Sequence, residues 1–279
     1  MTNLQAAILG VIQGLTEFLP VSSSGHLILV RDVLGWQGLG NSHLSKSFDV
    51  ALHFGTFLGV AGYFWGDIGR LARAWWASLR ERAIGEDGER KLAWLVLVSM
   101  VPAGAAGLAG QEFIERQLGT PLLVSGLLVG FGLLLWAAEA WGRKLRGMET
   151  CGWWDAVTVG VAQAVALAPG VSRSGVTITV GLFRGLTRQG AARFAFLISV
   201  PIIGGTALHE GLHLLAHPLP PGLPGPFAVG VVSAAVSGYL CIKYFLGYLQ
   251  RYSFRPFIWY RLALGAGLIV FYLRQGAIG

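Results

Sequence analysis

Charged side chains are scarce in this sequence. Only 13% of its 279 residues are Asp, Glu, Lys or Arg, whereas a soluble domain carries about 25%. An ionised side chain at bilayer depth costs several kcal/mol, so a shortage of charge is typical of a chain that lies in a membrane. The hydrophobic share of 54% and the mean hydropathy of +0.60 agree. We predict an all-α polytopic membrane protein.

Cysteine is also scarce. Cys151 and Cys241 lie far apart and match no disulfide or metal spacing, so no function is assigned to them. The first apolar stretch is not preceded by a basic segment and contains Gln13 and Glu17, so we expect no cleavable signal. The net charge of +7 would suggest nucleic acid in a soluble protein. Here the Lys and Arg lie in short loops between apolar runs, and no nucleic-acid partner is predicted.

Long apolar runs supply the expected membrane spans. They lie near residues 48–65, 92–110, 121–141, 194–209, 226–247 and 257–274. Most approach the roughly 20 residues that a helix needs to cross about 30 Å of hydrocarbon. The 41 glycines fit close packing of helices in lipid.

Two further apolar stretches are too short to span and end in polar residues. Leu4–Leu19 ends at Pro20 and a run of three serines, and Trp153–Ala168 ends at Pro169 and Gly170. Pro and Gly break helices, and a 16-residue arm rises only about 24 Å. Each stretch therefore predicts a helix, a break and a short returning helix. Such backbone survives in a membrane only where it is buried in protein or lines a polar cavity.

The two breaks are copies of each other at a constant offset of 150 residues. The matching positions are Gly10, Val11, Gln13, Val21, Ser22, Ser24 and Gly25 with Gly160, Val161, Gln163, Val171, Ser172, Ser174 and Gly175. We predict one transmembrane domain, residues 1–279, made of two repeats, about 1–145 and 150–279. Each repeat is a re-entrant helix hairpin followed by three transmembrane helices.

Basic residues alternate between the loops. Segments 66–91, 142–152, 184–193 and 248–256 are richer in Lys and Arg than 31–47, 111–120 and 210–225. If the basic loops are cytoplasmic, the first hairpin enters from outside and the second from inside. That is an inverted-topology repeat, in which ligand sites form at the midplane. We expect the site to open to the outer side.

The breaks place two helix N-termini, at Ser23–Gly25 and Ser174–Gly175, with Arg173 between them. A helix N-terminus presents unpaired N–H groups and a partial positive charge, which bind anions. The planar fork of Arg can hold two phosphate oxygens. The pattern therefore predicts a phosphate or pyrophosphate site. The alternative for Arg173 is a structural pair with a buried acid such as Glu17.

Gln13 and Glu17 are four residues apart and share one face of the first arm. An ionisable Glu within an apolar arm marks function by default. A carboxylate and an amide oxygen beside a phosphate site suit Mg²⁺ or Ca²⁺, and a hydrogen bond without metal is the alternative. In the second half Gln163 matches Gln13 but Leu167 replaces Glu17, so we predict the catalytic groups mainly in the first half.

His26 is the only histidine beside either break, and its ordinary pKa suits acid–base work near neutral pH. One of Ser22, Ser23 or Ser24 could attack phosphorus if a base removes its proton. The residue types alone do not choose among them. The other histidines share no ligand spacing with an acid and are interpreted as structural or interfacial: His43, His53, His209, His213 and His217.

The segment from Gln13 to His26 resembles the E/Q-x-x-x-E motif, with adjoining Ser and His, of bacterial undecaprenyl pyrophosphate phosphatases of the bacitracin-resistance type. The segment from Pro169 to Thr177 is similar to that family's P-G-x-S-R-S-x-x-T motif, and the likeness covers essentially the whole chain. The resemblance implies an enzyme of the bacterial inner (plasma) membrane. It would hydrolyse undecaprenyl pyrophosphate to the monophosphate with a divalent cation, recycling the carrier lipid for peptidoglycan synthesis.

Carried onto this sequence, the resemblance implies Glu17, Ser23, His26 and Arg173 as the catalytic residues. The predicted metal ligand is Glu17. The predicted substrate-binding residues lie in the same two motifs: Gln13, Ser22, Ser24, Gly25, Gly170, Ser172, Ser174, Gly175 and Thr177.

In the expected mechanism Ser23 attacks the terminal phosphorus, His26 or Glu17 accepts its proton, and water then releases phosphate. Arg173 and the cation neutralise the developing charge. Direct attack by water or by His26 stays open. The alternative function is a polyprenyl-phosphate flippase or anion transporter using the same midplane site, although an anion site alone needs no cluster of reactive groups. The expected partners are the polyprenyl pyrophosphate substrate and membrane lipid, and a homodimer stays open.

Overall fold

The computed structural model describes residues 1–36, 42–84, 88–216, 219–274 and 276, with side chains at all of these except 42–43, 111–117 and 209–216. Over this part of the chain there is no β-strand, only an isolated bridge between Arg146 and Leu186. The helices are α1 (Asn3–Phe18), α2 (Ser23–Val33), α3 (Ser42–Tyr63), α4 (Trp65–Glu81), α5 (Gly88–Gln117), α6 (Pro121–Trp141), α7 (Trp153–Val165), α8 (Arg173–Phe183), α9 (Arg188–Ala216), α10 (Pro224–Tyr248) and α11 (Arg255–Arg274), with a 3₁₀ turn at Met148–Thr150.

Among the described residues, five helices are long and apolar enough to cross a membrane. They are α5, α6, α9, α10 and α11, over Gly88–Gly110, Pro121–Trp141, Arg188–Leu208, Pro224–Tyr248 and Arg255–Arg274. These five contain five of the six predicted runs, so the chain is a multi-pass membrane protein. The sixth run, 48–65, lies in α3 up to Tyr63, and its last residue, Trp65, begins α4. Helix α3 carries Lys46 and Asp49 and is not among the five.

The basic segment 66–91, predicted as a loop, contains helix α4. The apolar and charged residues of this segment recur at helical spacing and so lie on different faces of an amphipathic helix. Helix α4 is not one of the five spanning helices.

Both predicted breaks interrupt the helices. The first arm, α1, ends at Phe18, two residues before Pro20, and α2 begins at Ser23. The second arm, α7, ends at Val165, three residues before the predicted end, and α8 begins at Arg173. Ala166–Ala168 form turns instead, because Leu167 and Ala168 donate to carbonyls three residues back.

The serines before α2 and α8 share an unusual backbone. Ser22 has φ 73° and Ser172 has φ 70°, in the left-handed region that residues other than glycine rarely adopt. Each serine hydroxyl accepts a hydrogen bond from the backbone N–H three residues on, at Gly25 and Gly175. The side-chain cap satisfies one unpaired donor of each helix, which offsets part of the cost of the strained backbone.

Helices from the two halves of the sequence are interleaved. Helix α10 packs against α1 and α3, while α5 packs against α7 and α9. Small residues permit this close approach: a Cβ at Gly14 would lie 2.0 Å from Ser237 Oγ and 2.7 Å from the Ala234 carbonyl oxygen. Helices α6 and α11 pack together; α6 contacts both α2 and α8, and α11 bonds to His26 of α2 and to Gly170 before α8.

Asp155 joins the segment before α7 to the end of α8. Its carboxylate, 1% exposed, accepts hydrogen bonds from Arg146 Nη2 (2.7 Å), Arg184 Nε (2.7 Å) and the Gly152 N–H (2.8 Å). Burial acts to raise the pKa of Asp155, but these hydrogen bonds outweigh it and hold the pKa below its ordinary value.

Candidate active site

Glu17, near the end of α1, is the centre of a polar cluster between the two breaks. Its Oε2 accepts a hydrogen bond from Ser23 Oγ at 2.7 Å and another from Gln13 Nε2 at 3.1 Å. Its Oε1 accepts from Arg173 Nη2. The structure therefore brings three of the predicted catalytic residues together, because Ser23 and Arg173 both donate to the carboxylate of Glu17.

Ser23 and Arg173 are the first residues of α2 and α8, so each lies where a helix presents unpaired N–H groups. Arg173 forms an ion pair with Glu17, the structural pair that the sequence offered as the alternative to phosphate binding. It leaves most of the guanidinium donors available, since Arg has five N–H groups and this side chain is 21% exposed. Arg173 can therefore contact Glu17 and a phosphate oxygen together.

His53 of α3, interpreted from the sequence as structural or interfacial, lies in this cluster. Its Nδ1 is 3.1 Å from Gln13 Nε2 and 3.6 Å from Glu17 Oε2. When His53 is neutral, Nδ1 can accept from the Gln13 amide. When it is protonated, it can pair with Glu17. The carboxylate is thus flanked by a cationic Arg on one side and a titratable His on the other.

His26 is held apart from Glu17 by two hydrogen bonds of its own. Nδ1 lies 2.7 Å from the Ser22 carbonyl oxygen, which can only accept, so Nδ1 carries the proton. Nε2 lies 2.7 Å from the Tyr260 hydroxyl, and the two rings stack with centroids 5.6 Å apart. In a neutral imidazole Nε2 therefore accepts from the Tyr260 hydroxyl. No hydrogen bond joins His26 to Ser23 in the described structure.

Arg261 of α11 ties the two breaks together. The side chain is fully buried, and its donors meet the carbonyl oxygens of Pro20 in the first break (3.4 Å) and of Gly170 and Val171 in the second (2.7 and 2.6 Å). A further bond reaches the Leu128 carbonyl of α6 at 2.7 Å. Arg261 fixes the spacing of the two helix N-termini and places a positive charge beside them.

The other predicted substrate-binding residues mostly support the backbone. The Gln13 amide nitrogen lies within hydrogen-bond distance of Glu17 and His53. Ser22 and Ser172 cap α2 and α8. The Ser24 hydroxyl contacts that of Ser22, and Ser174 donates to the Leu19 carbonyl. Thr177 is buried and donates to the Arg173 carbonyl of its own helix, so its hydroxyl does not point into the cluster. Gly25 and Gly175 supply the capped N–H groups, and Gly170 (φ 92°) makes the turn.

The residues present can be tested for their fit to a divalent cation. Within the described side chains no three His, Cys, Asp or Glu residues form a metal-binding group. The cluster does offer the carboxylate of Glu17 and the amide oxygen of Gln13, which is buried without a hydrogen-bond partner. Mg²⁺ usually keeps waters and combines one or two protein oxygens with substrate phosphates. The set fits such a cation bound together with a pyrophosphate.

Three residues of the site were missed from the sequence: His53, Tyr260 and Arg261. Arg261 carried a usable signal, because a charged residue within an apolar run is costly and marks function. His53 also interrupts an apolar run. Their partners are 36 or more positions away in the sequence, so spacing could not pair them. The side chains of His43, His209, His213 and His217 lie outside the described part.

Comparison with known proteins covers nearly the whole chain. The family model described as bacitracin resistance protein BacA matches residues 6–267. The chain is 45% identical to undecaprenyl-diphosphatase 2 of Stutzerimonas stutzeri, over 98% of this chain and 99% of the relative. It is 48% identical to the undecaprenyl-diphosphatase of Rubrobacter xylanophilus, over 94% and 96%. The enzyme of the same name from Geobacter metallireducens is 44% identical, over 99% and 100%.

Proposed function

Because the chain belongs to the family of the bacitracin resistance protein BacA, we propose that its polar cluster hydrolyses undecaprenyl pyrophosphate to undecaprenyl phosphate and inorganic phosphate. The enzyme is an undecaprenyl-diphosphatase of the membrane and recycles the lipid carrier of peptidoglycan synthesis. The observation that carries the assignment is the Ser23–Glu17–Arg173 arrangement. In the proposed reaction Ser23 is the nucleophile, Glu17 the base and Arg173 the positively charged side chain, and they lie between two helix N-termini.

Substrate binding rests on positive charge from helix N-termini and arginine side chains, and not on several carboxylates that hold metal ions. The N-termini of α2 and α8 and the guanidinium of Arg173 face the pyrophosphate. The buried charge of Arg261 adds to the same field. A pyrophosphate oxygen would share Arg173 with Glu17, so binding and the position of the base are coupled. The prenyl chain would lie in the surrounding lipid.

The chemical steps follow from the hydrogen bonds. Ser23 Oγ attacks the terminal phosphorus and gives its proton to Glu17 Oε2, while the bond to the bridging oxygen breaks and undecaprenyl phosphate leaves. Glu17 passes this proton to the departing undecaprenyl phosphate. Water then attacks the phosphoserine, Glu17 accepts the water proton, and it returns that proton to Ser23 Oγ as inorganic phosphate departs. The 2.7 Å contact between Ser23 and Glu17 favours Glu17 over His26 as the base. His26 then acts as a neutral group oriented by Tyr260.

A divalent cation, Mg²⁺ or Ca²⁺, would be held by Glu17 and the free amide oxygen of Gln13 together with the pyrophosphate. It would supply electrostatic stabilisation of the charge that develops on the phosphate oxygens. Titrating Mg²⁺ or Ca²⁺ into the metal-free enzyme by calorimetry should show binding only with pyrophosphate present. Binding of equal strength without pyrophosphate would contradict this site.

The two halves form an inverted-topology repeat within one domain, each with a re-entrant hairpin. Three observations support it: α2 and α8 begin 150 residues apart, their capping serines share the same φ, and the halves interleave. In the inner membrane, the site opens to the periplasmic side. Thiol labelling of Thr120→Cys from outside and Arg251→Cys from inside tests this topology, and the reverse pattern would contradict it.

The native thiols should not interfere with that labelling. Cys151 and Cys241 are both buried. Burial raises the pKa of the Cys151 thiol to about 12, so little reactive thiolate forms at neutral pH. A homodimer is a further proposal, which the mass of the purified protein in a nanodisc would test.

The central experiment measures phosphate release from undecaprenyl pyrophosphate by purified wild type, Ser23→Ala and Arg173→Ala, with and without chelator. We expect metal-dependent release that falls by orders of magnitude in both variants. Folded wild type that binds the lipid without releasing phosphate would instead support the flippase or anion transporter. Undiminished release by Ser23→Ala would support direct attack by water or by His26.

A further inference from the structure

Helix α4 takes no part in the polar cluster. Its 17 residues give a length of about 25 Å, and it is not one of the five spanning helices. It begins immediately after Phe64, which follows α3, and it precedes α5, the first of the five spanning helices, whose apolar segment begins at Gly88. Helix α4 therefore lies at the membrane boundary.

The inner side of α4 is fixed to the rest of the protein. Asp67 accepts a hydrogen bond from Arg193 of α9 at 2.6 Å, and Ser78 accepts one from Trp94 Nε1 of α5 at 2.9 Å. Ile68 and Leu71 pack against the main hydrophobic core. These contacts set the rotation of α4 and hence which residues face outward.

The outer side of α4 is apolar. Trp65, Trp76 and Leu79 are 75%, 67% and 42% exposed. At 100° per residue they fall within about 60° of one another around the helix. Trp is enriched at the headgroup level of membranes, because its ring is apolar and its N–H is polar. A face of this kind, at the boundary of a bilayer, fits the junction of headgroups and acyl chains.

A basic stripe borders the apolar face. Arg73 and Arg80, seven residues apart, are both exposed, and neither has a carboxylate partner among the described residues. Arg73 uses only its Nε, which donates to the Gly69 carbonyl. Arg70, by contrast, is paired with Asp67 and Glu89. Two unpaired guanidinium groups beside exposed tryptophans complement lipid phosphates.

We propose that α4 lies in the headgroup layer and binds anionic phospholipid through Arg73 and Arg80, with Trp65, Trp76 and Leu79 inserted beneath the headgroups. Amphipathic helices with a basic polar side and Trp on the other side bind membrane surfaces in this way. Each arginine near an anionic surface strengthens the attraction by roughly fivefold. The pair therefore gives α4 a preference of about 25-fold for anionic over zwitterionic lipid.

A nitroxide label at Ala72→Cys, on the apolar face, reports the depth of α4. The labelled protein is placed in nanodiscs of phosphatidylcholine with increasing phosphatidylglycerol, and collisions with oxygen and with a water-soluble nickel reagent are measured. We expect phosphatidylglycerol to shield the label from nickel. In Arg73→Gln/Arg80→Gln the preference for anionic lipid should fall about 25-fold, so phosphatidylglycerol should no longer shield the label at fractions that shield it in the wild type.

The matched control is Arg251→Gln/Arg255→Gln, which removes two exposed arginines from another basic loop and should leave the depth of the label unchanged. Phosphate release by the Arg73→Gln/Arg80→Gln protein verifies its fold. A label that stays accessible to nickel in phosphatidylglycerol overturns the insertion. Equal shielding without phosphatidylglycerol, or in the double variant, overturns the binding of anionic headgroups.

Discussion

Replacing Glu17 by Gln separates the two roles that its carboxylate could have. The amide keeps the shape of the side chain and can still accept from Arg173, but it cannot take the Ser23 proton. Loss of a positioned general base costs about 10²–10⁴-fold in rate, which corresponds to about 3–5 kcal/mol of activation free energy. We expect kcat to fall by this factor.

With the divalent cation held at saturation, so that loss of the Glu17 ligand does not limit binding, the same change should leave KM for undecaprenyl pyrophosphate unchanged or lower it. Glu17 is a negative charge that shares Arg173 with the pyrophosphate. Neutralising it frees the guanidinium and removes repulsion of an anionic substrate. A drop in kcat without a rise in KM is the signature of a group needed in the transition state and not for binding.

Glu139→Gln is the matched control. Glu139 is as buried as Glu17, at 7% exposure, and pairs with Arg188 much as Glu17 pairs with Arg173. Both variants break a buried pair, and each should cost at most about 3 kcal/mol of stability because both arginines reach the surface. Only Glu17→Gln should lose turnover.

The assay is steady-state phosphate release by both variants at saturating and limiting undecaprenyl pyrophosphate, beside thermal unfolding in the same detergent. A turnover of Glu17→Gln within about threefold of the wild-type value would be a far smaller loss than that expected for a general base. That result would refute Glu17 as the proton acceptor. An equal loss in Glu139→Gln would show that breakage of the ion pair, and not loss of the base, lowers the rate.

Three further substitutions test the surroundings of the site. Tyr260→Phe keeps the stacked ring but removes the hydroxyl donated to His26, so kcat should fall about two- to tenfold with little change in KM, as steady-state kinetics would show; wild-type kinetics would mean that His26 acts without it. Arg261→Lys cannot reach both breaks, and losing about three hydrogen bonds should lower the melting temperature by about 6–12 °C, whereas an unchanged melting temperature would contradict the clamp. Asp155→Asn should destabilise the protein at pH 7 and progressively less below pH ~4. The folded-state pKa of Asp155 is lowered, so its contribution is present above the unfolded pKa and is lost as pH falls through the folded pKa; melting curves of both proteins across pH 3–7 would check this, and a constant difference would contradict it.

The sequence was most informative where residue type alone decides the backbone. Pro20 and Pro169 marked both breaks, and the hydroxyls at Ser22 and Ser172 marked the caps, because these residues act on their own neighbours. The Glu17–Ser23 contact also follows from local geometry, since only a short break separates them. Apolar runs predicted five spanning helices, because the length and composition of a segment decide whether it can cross the bilayer.

Contacts that depend on tertiary packing could not be predicted. His53 reaches Gln13 across 40 residues and Arg261 reaches the first break across 241, and no local pattern encodes these distances. The orientation of His26 toward Tyr260 is another such case. Helix α4 differs from the sequence prediction for another reason: basic residues between apolar runs are typical of a loop, and here they lie on an amphipathic helix.

Ser23 and Arg173 occupy corresponding places 150 residues apart, each as the first residue of the short helix after a break, and in the proposed repeat each helix belongs to one of two hairpins. Two identical hairpins would put either two serines or two arginines at the centre, and would supply a nucleophile without its counter-charge or the reverse. A symmetric dimer of one hairpin therefore cannot hold this reaction. Joining the halves in one polypeptide lets these two positions, and the nearby Glu17 and Leu167, diverge into complementary parts of a single asymmetric centre.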